Sequence, residues 1–432
     1  MKSVWENNEK RRGFEMLQKD KNTDVLIVGG GIAGLLCAYK LKTAGIECML
    51  VEANRICSGV TENTTAKITV GHGLIYDKFI KSYGEEEARL YLKAQLEAAG
   101  EYEKLCGEID CDYEKADNFV YSLNDRAKIK REINALRRLG VKAELSDAAK
   151  LPIWVAGAVK LGNQAQFHPL KFLNEIAKDL PIYEHTKVLE FLPRKAVTNR
   201  GIINFNRLVV ATHFPIFNKH GLYSLKLYQH RSYVIALKGV KPLYGMYVDE
   251  SDNGLSFRSC EDMLLLGGGG HRTGKKGGCW QELESFAAKY YKNAEIVAKW
   301  ATQDCMTLDK IPYIGQYSAN TPDVYVATGF NKWGMTNAMA AANILLDLIM
   351  GKENPYTKVF SPSRSILRPQ LAVNAFDSML GLLTPTAPRC PHLGCALKYN
   401  HAEHSWDCPC HGSRFSKDGN LINNPATDDL KS

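Results

Sequence analysis

The segment TDVLIVGGGIAGLLCAYKLKTAGIECMLVEAN (Thr23–Asn54) decides the fold of the first part of the chain. It predicts an apolar strand, a glycine-rich turn, a helix, and a second apolar strand that ends in Glu52. Units of this kind bind the pyrophosphate of a dinucleotide at the amino end of the helix, where backbone N–H groups are unpaired and the helix dipole is positive. The segment therefore predicts a dinucleotide-binding α/β domain.

Three glycines and one acidic residue of this segment have distinct predicted roles. Gly29 permits the tight turn, Gly31 lets the backbone approach the pyrophosphate, and Gly34 lets the helix pack closely on the strand. Glu52 follows at about twenty residues, the usual distance for a carboxylate that accepts hydrogen bonds from a ribose. The fingerprint alone does not separate FAD from NAD, because both carry adenosine pyrophosphate.

A later segment, Pro312–Gly351, predicts a second helix whose amino end faces a ligand. It contains a strand at Val324–Ala327, a glycine-bearing turn, and a long apolar helix that begins near Met335. Together with GVTENTTAKIT (Gly59–Thr69) and RLVVATH (Arg207–His213), these segments resemble the D-amino-acid-oxidase-like family of FAD-dependent oxidoreductases. The resemblance extends over roughly Val4–Leu367.

The resemblance implies FAD as the cofactor and assigns residues to its site. In the family, the segment after the second strand and the glycine turn before the last helix line the flavin, and a strand residue meets the adenine through its backbone. With the fingerprint, the predicted FAD site comprises Gly29, Gly31, Gly34, Glu52, Gly59, Thr61, Thr65, Ala66, Lys67, Val188, Gly329, Gly334, Met335 and Thr336.

The middle of the chain predicts an α+β substrate domain interwoven with the nucleotide-binding domain. Periodic helices are followed by strand-like runs, among them SYVIALKG (Ser232–Gly239) and MLLLGGG (Met263–Gly269). In the family such a sheet covers one face of the flavin, and the electron donor is commonly an amine or amino acid. Candidates for a cation that binds a substrate carboxylate, each with a structural role left open, are Arg231, Arg258, His271 and Arg272.

CPHLGC (Cys390–Cys395) and CPCHGS (Cys408–Ser413) place soft ligands in two short loops. The set Cys390, His392, Cys408 and His411 supplies two thiolates and two imidazoles. That donor set suits either a tetrahedral zinc ion or a 2Fe-2S cluster in which one iron takes two thiolates and the other two histidines.

The two loops closely resemble those of Rieske proteins of the respiratory and photosynthetic type, which favours the cluster. The resemblance implies a disulfide between Cys395 and Cys410 that clamps the loops, and a Ser413 hydroxyl that donates to a cluster sulfide. Where the respiratory proteins carry a tyrosine, this chain has Phe415, and we expect a potential below the top of the Rieske range because a hydrogen bond is missing.

The Rieske unit is short. Only Arg368–Arg389 separates the oxidase-like region from the first ligand loop, and the segment PQLAVNAFDSMLGLL (Pro369–Leu383) within it predicts a helix. We expect an oxidoreductase region at 1–367 and an abridged Rieske 2Fe-2S domain at 368–432. Either the helix and the oxidase-like body replace the missing base of the cluster domain, or the site is poorly held and loads iron inefficiently.

Charge and composition exclude other classes. The net charge is +8, but basic and acidic residues are interspersed, which argues against nucleic-acid binding. The polar opening segment Met1–Asp20 lacks the apolar stretch of a secretory signal, and no apolar run is long enough to span a bilayer. We therefore expect a cytoplasmic protein.

The sequence thus predicts an enzyme that oxidises a small-molecule amine or amino-acid-like donor with FAD. Electrons would pass between the flavin and the Rieske cluster, and so to an unidentified acceptor or redox protein. Two alternatives remain: a plain oxidase that produces peroxide beside a structural cluster, and a redox sensor without turnover that uses the cluster or the Cys395–Cys410 pair.

Overall fold

The computed structural model describes residues 2–9, 11–148, 150–217, 220–385 and 388–430. The helices are α1 (Val4–Asn8), α2 (Ile32–Thr43), α3 (Tyr76–Tyr83), α4 (Glu85–Glu108), α5 (Arg126–Arg138), α6 (Pro169–Ile176), α7 (Tyr223–Lys226), α8 (Cys279–Tyr290), α9 (Gly334–Ile349), α10 (Thr357–Phe360) and α11 (Pro369–Leu383). The strands are β1 (Lys21–Val28), β2 (Cys48–Val51), β3 (Lys67–Ile68), β4 (Glu114–Ser122), β5 (Ala143–Ser146), β6 (Gly157–Gln166), β7 (Ile182–Tyr183), β8 (Val188–Leu192), β9 (Lys195–Thr198), β10 (Gly201–Val210), β11 (Leu227–Lys238), β12 (Met246–Asp249), β13 (Ser256–Cys260), β14 (Met263–Arg272), β15 (Glu295–Thr307), β16 (Tyr313–Gln316), β17 (Val324–Thr328), β18 (Lys398–Asn400), β19 (Ser405–Asp407), β20 (Arg414–Ser416) and β21 (Leu421–Asn423).

The first sheet is the predicted dinucleotide-binding sheet. Its strands run in the order β16, β17, β10, β1, β2, β7, with β9 attached to β10 and β8 attached to β9. Strand β1 pairs in parallel with both β10 and β2. Val25 and Ile27 of β1 pack against the helices, whereas Leu26 and Val28 pack on the opposite face. Burial of both faces explains why β1 reads as one continuous apolar run.

The second sheet forms the predicted substrate domain. Its order is β15, β11, β14, β13, β12, β4, β6, β3, with β5 on β6, and helix α8 packs against β11 and β14. The strand runs read from the sequence correspond to β11 to β14. The long edge strand β15 was not among the predicted strands, because polar residues interrupt its apolar ones and its first half is only partly buried.

The third sheet is a small antiparallel meander, β18, β19, β20, β21, that carries the second ligand loop between β19 and β20. The predicted helix before it is present as α11. This helix turns Asn374 and Asp377 inward, where Asp377 pairs with Arg272 at 3.0 Å and with Lys275 at 2.7 Å. Its large apolar side chains are exposed: Val373, Phe376, Met379, Leu380, Leu382 and Leu383. Ion pairs therefore hold α11 on the body.

The chain has a mixed α/β fold with a small carboxy-terminal sheet. A division of the chain between residues 367 and 368 would fall just before α11 and stays a prediction. Within the described residues, every helix is too short or too polar to span a lipid bilayer.

Candidate active site

The glycine turn after β1 contains two kinds of glycine. Gly29 has a φ of +112°, and a Cβ there would lie 2.6 Å from the Ala211 carbonyl oxygen, while a Cβ at Gly34 would lie 1.9 Å from the Gly29 oxygen. The protein itself requires glycine at both positions. A Cβ at Gly31 would meet only the Thr61 hydroxyl, at 3.4 Å. Glycine at position 31 is therefore explained by a ligand that approaches the turn, as a pyrophosphate does.

A cavity of about 920 Å³ opens from this turn and extends to the second sheet. It is large enough for a dinucleotide-sized ligand. The predicted FAD residues that line it are Gly29, Gly31, Glu52, Gly59, Thr61, Thr65, Lys67, Val188, Gly329, Gly334 and Met335. Three predicted residues lie behind the wall: Gly34, Ala66 and Thr336. Thr336 contacts the buried His72 ring, 3.0 Å from Nε2.

Glu52 lies in the cavity wall just after β2. Its Oε2 accepts the Gly30 N–H at 2.7 Å and its Oε1 accepts the Asn54 N–H at 2.8 Å. Burial raises the pKa of this carboxyl group, and the two N–H groups oppose the rise. Since a carboxylate oxygen accepts more than one hydrogen bond, both oxygens can also accept from ribose hydroxyls.

The predicted substrate cations are all engaged in internal contacts. Arg258 donates to the carbonyl oxygens of Thr65, Ala66 and Phe167, and thus fixes the segment that begins β3. His271 lies 3.0 Å from the Tyr233 hydroxyl. Of the four candidates, Arg231 lines the cavity. A role in substrate binding stays a prediction for Arg231, Arg258, His271 and Arg272.

Arg231 and Arg272 meet the carboxy-terminal segment. The Arg231 guanidinium makes a two-pronged ion pair with Glu403, with Nε 3.0 Å from Oε1. Arg272 pairs with Asp377 of α11 and donates to the Cys410 carbonyl oxygen at 3.3 Å. Both side chains therefore tie the second sheet to the segment that carries the ligand loops.

The two ligand loops bring four predicted donors together. Hydrogen bonds from the Cys408 thiol and the Ser413 hydroxyl, and from backbone N–H groups of its own loop, lower the pKa of the Cys390 thiol. The His392 and His411 rings lie 5.0 Å apart between centroids. Within the described part of the chain, the Nδ1 atoms of both rings are buried without a hydrogen-bond partner. Such orphaned imidazole nitrogens beside two thiols fit ligation of iron.

Burial lowers the pKa of His392 to about 4 and that of His411 to about 3. Both imidazoles are therefore neutral near pH 7, which is the state that ligates a metal.

The predicted disulfide between Cys395 and Cys410 is present and joins the two loops, with a Cα–Cα distance of 6.7 Å. The sulfur atoms of this pair and of Cys408 lie within 4.8 Å of one another. Because the pair is oxidised, its sulfurs cannot act as thiolate ligands, so the motif set of two thiols and two imidazoles fits a metal better than these three cysteines.

Helix α11 supports the loops where a longer Rieske domain would have further strands. The Gly381 carbonyl oxygen accepts the Ala396 N–H at 2.9 Å, and a Cβ on Gly381 would lie 2.6 Å from the Cys410 sulfur. The helix thus touches the disulfide directly, and its closest residue has no side chain.

Two buried glutamines attach the second ligand loop to the second sheet. The Gln303 amide donates to the Gly412 carbonyl oxygen at 2.9 Å and to the Gln229 oxygen at 2.7 Å. Gln229 donates to the carbonyl oxygens of His411, at 3.3 Å, and Asn424, at 2.8 Å. Neither glutamine was predicted as functional. Their only sequence signal is an uncharged amide within a strand.

A buried charge network completes the attachment. Arg414 of β20 pairs with Asp407 at 2.9 Å and with Glu403 at 2.8 Å, and Glu403 also pairs with Arg231. The Tyr233 hydroxyl donates to Glu403 at 2.9 Å. Residues of the third sheet and its flanking loops also line the large cavity: Glu403, Arg414, Leu421, Ile422, Asn423, Asn424, Ala426, Thr427 and Asp429. The carboxy-terminal segment that carries the two ligand loops is therefore part of the cavity wall.

Two family models match consecutive parts of the chain. The DAO model, described as FAD dependent oxidoreductase, matches residues 24–348, and the Rieske [2Fe-2S] domain model matches residues 370–432. The putative Rieske 2Fe-2S iron-sulfur protein YhfW of Bacillus subtilis is 34% identical, with 99% of this chain and 97% of that protein covered.

More distant matches cover the larger part of the chain. The gamma-glutamylputrescine oxidoreductase of Escherichia coli is 26% identical over 78% of this chain and 86% of its own length. A solved structure of glycine oxidase from Geobacillus kaustophilus has a TM-score of 0.68 at 19% identity, covering 80% of this chain and 99% of that one. The second match shows a shared fold.

Proposed function

The chain belongs to the DAO family of FAD-dependent oxidoreductases and carries a Rieske [2Fe-2S] domain, and on that premise we propose that it oxidises an amine or amino-acid-like substrate and passes the electrons from FAD to the Rieske cluster. FAD and a 2Fe-2S cluster are the cofactors of these two families. When bound, the flavin supplies a two-electron acceptor for a substrate C–H bond, and the cluster supplies a one-electron carrier.

We assign FAD to the large cavity. The Gly31 turn and the amino end of α2 would hold the pyrophosphate and Glu52 the ribose, and the cavity-lining residues Gly329, Gly334 and Met335 would hold the flavin. We assign the cluster to Cys390, His392, Cys408 and His411, with the disulfide between Cys395 and Cys410 holding the loops together. These assignments use the residues whose geometry fits each cofactor.

One observation carries the proposed electron exchange: a single side chain, Gln303, lines the cavity and also touches the second ligand loop at Gly412. The two sites therefore share a wall. Because Gln303, Gln229 and the Arg231 ion pair are buried, the cluster segment is held on the cavity and needs no domain movement to reach it. Cys390, His392, Cys408 and His411 would hold the cluster beside that wall, where it would supply a one-electron carrier between the cavity and an external acceptor or redox protein.

The amine substrate is supported by the relatives. The 26% identical gamma-glutamylputrescine oxidoreductase is named for an amine, and its match covers most of the oxidoreductase region. Flavin chemistry of this kind asks the protein to bind and orient the donor and to exclude water, and we assign both tasks to the cavity between the two sheets. A cytoplasmic location remains a prediction from the sequence.

The test is anaerobic addition of amino acids and amines to protein that holds both cofactors, while flavin and cluster absorbance are followed separately. Flavin bleaching followed by cluster reduction is expected. Peroxide formation in air with the cluster unchanged would instead identify a plain oxidase. No bleaching with any donor would leave the redox-sensor alternative.

Variants at the shared wall sharpen this test. Gln303→Leu should slow cluster reduction and leave flavin bleaching by substrate near its original rate, because it removes the contact with Gly412. Gln316→Leu, an exposed position on β16, is the matched control and should change neither rate. Equal cluster reduction rates in the two variants would contradict the assigned role of Gln303.

A further inference from the structure

Helix α11 lies on the body with its polar residues inward and its apolar residues outward. Asn374 and Asp377 are buried, whereas every exposed residue of this helix is apolar. The exposed residues are Pro369, Ala372, Val373, Ala375, Phe376, Met379, Leu380, Leu382 and Leu383. A helix on the surface of a globular domain normally has the opposite arrangement, because burial of its apolar side chains stabilises the fold. The outward side of α11 is therefore built to be covered by something else.

The large apolar side chains on this outward side form a continuous surface, which we call the apolar face of α11. It comprises Val373, Phe376, Met379, Leu380, Leu382 and Leu383, of which Leu383 is 72% exposed. The first ligand loop continues this surface, since a Cβ on Gly394 would lie 4.0 Å from the Leu382 Cδ2 atom, and the neighbouring Leu393 is exposed. Contiguous exposed apolar side chains in such number mark a surface that binds a protein or a membrane.

The part of the chain that carries this face has no free negative charge. Residues 361–406 include two acidic side chains, Asp377 and Glu403. Asp377 pairs with both Arg272 and Lys275, and Glu403 pairs with two arginines. Each carboxylate is therefore outnumbered by the cations that surround it.

Exposed cations lie at both sides of the apolar face. Lys275 is joined to α11 by its ion pair with Asp377 at 2.7 Å, and the next residue, Lys276, is exposed. Arg389 is exposed beyond the carboxyl end of the helix, where it donates to the carbonyl oxygens of Leu382, at 3.2 Å, and Gly394, at 3.1 Å. Carbonyl oxygens do not neutralise a guanidinium, so its positive charge remains. The face is thus apolar in its middle and cationic at its edges.

A bilayer surface with anionic phospholipid matches both properties. Acyl chains accept aliphatic side chains without any need for hydrogen bonds, and anionic headgroups attract Lys and Arg. A second copy of the chain matches less well, because a two-fold contact would set the same cations of both copies against each other. A protein partner matches less well too, because protein interfaces carry about one hydrogen bond per 100–200 Å² and the outward side chains of α11 can make none.

We infer that the apolar face of α11 binds the surface of a bilayer that contains anionic phospholipid, with the helix lying in the plane of the interface. Lys275, Lys276 and Arg389 would contact lipid phosphates while the apolar side chains enter between the acyl chains. Because Leu393 belongs to the same surface and follows His392, the bound protein would hold its first ligand loop at the lipid. These residues lie outside the large cavity, so lipid binding would not depend on the proposed function.

The experiment is co-sedimentation of the full chain, loaded with both cofactors, with vesicles of phosphatidylcholine alone or of phosphatidylcholine and phosphatidylglycerol in equal parts. Binding to the anionic vesicles is expected, and it should weaken in high salt because salt screens the cations. Leu383→Ser should lower the partition coefficient by about 10-fold, since one large apolar side chain no longer leaves water on binding. Leu189→Ser removes an exposed leucine of β8 and is the matched control, which should bind as the unchanged protein does.

A second pair of variants tests the cations. Lys276→Gln should weaken binding to the anionic vesicles, whereas Lys241→Gln, at another exposed lysine, should not. Flavin absorbance, iron content and Tm should be the same in all four variants, because each changed side chain is exposed. Equal binding to neutral and anionic vesicles would overturn the assignment to anionic lipid.

Sedimentation velocity without vesicles identifies the other possible occupants. A dimer that dissociates in Leu383→Ser, together with no vesicle binding, would assign the face to a second copy and overturn lipid binding. A monomer that binds no vesicles would also overturn it and would leave a protein partner as the occupant. Vesicle binding that is equal in Leu383→Ser and Leu189→Ser would show that the protein meets lipid through a different surface.

Discussion

The two cofactor sites are built differently. The glycine turn of the FAD site is shaped by its own unit and the neighbouring strand, with Gly34 packed on Gly29 and Gly29 packed on Ala211. The ligand loops of the cluster site rest on distant parts of the chain, namely α11 and the glutamines of β11 and β15. A site that is supported by residues close to it in sequence should tolerate substitutions elsewhere in the chain. A site that is supported by distant segments should be sensitive to substitutions in those segments. Four predictions test that difference.

The largest effect is expected from removing a proposed iron ligand. His411→Ala should abolish the cluster and leave FAD bound, because no ligand-loop residue takes part in the glycine turn. Iron and acid-labile sulfide analysis beside a flavin spectrum measures both. His401→Ala, at an exposed histidine in the turn after β18, is the control, and this variant should keep its iron. Loss of FAD together with iron would show that the FAD site also depends on distant parts of the chain.

Gly31→Val should have the opposite effect, namely loss of FAD while the cluster is retained. The β-carbon itself fits the protein, so the variant should fold, but the side chain would occupy the space left for the pyrophosphate. We expect FAD occupancy to fall by about 100-fold or more with iron retained, as measured by flavin absorbance and iron content. Gly34→Ala is the contrasting variant, since its Cβ would collide with Gly29 and lower the yield of folded protein. FAD bound normally by Gly31→Val would contradict the assignment of the turn.

Gly381→Ala should weaken the cluster site from a distance. A methyl group there would lie 2.6 Å from the Cys410 sulfur, and overpacking of this kind costs about 1–3 kcal/mol. We expect a several-fold lower iron content at unchanged FAD content. Gly100→Ala, inside α4 with nothing within 4 Å, is the control and should stabilise the protein slightly. Full iron loading in Gly381→Ala would mean that α11 is not the support of the loops.

The difference between local and distant support also explains which features of the two sites could be predicted from the sequence. Local signals predicted the glycine fingerprint, the two ligand loops and α11, because each depends on residues close together in the chain. The contacts of Gln229 and Gln303 with the second ligand loop depend on the pairing of β11 with β15, whose residues are far apart in sequence. A glutamine within a strand gives no local sign that it will face a ligand loop.

The contacts of the abridged Rieske domain with distant parts of the chain could not be predicted in detail either. The shortness of this domain was readable from the spacing between the oxidase-like region and Cys390, and the helix and the oxidase-like body were the candidates to replace the missing base. The individual residues that make these contacts were not predicted. The structure supplies two: Gly381 of α11 and the charge network around Glu403. The candidate cations Arg231 and Arg272 were selected for their place beside the sheet, and they lie on the face that meets this domain.

The smallest effect concerns the properties of the cluster and not its presence. Phe415 is fully buried in the small core that contains Cys390 and Cys408. A hydroxyl added by Phe415→Tyr would either donate to a ligand sulfur or remain buried without a partner. Donation would stabilise the reduced cluster and raise its potential, whereas an unpaired hydroxyl would cost about 1–3 kcal/mol of folding stability.

We expect the first outcome, a higher potential at unchanged Tm, measured by redox titration of the cluster and by thermal unfolding. Phe376→Tyr adds the same hydroxyl to an exposed position of α11 and should change neither value. An unchanged potential with a lower Tm would mean that the hydroxyl does not reach the sulfurs. The contacts with α11 and with the second sheet would then hold the core around the cluster in a geometry that differs from that of a full-length Rieske domain.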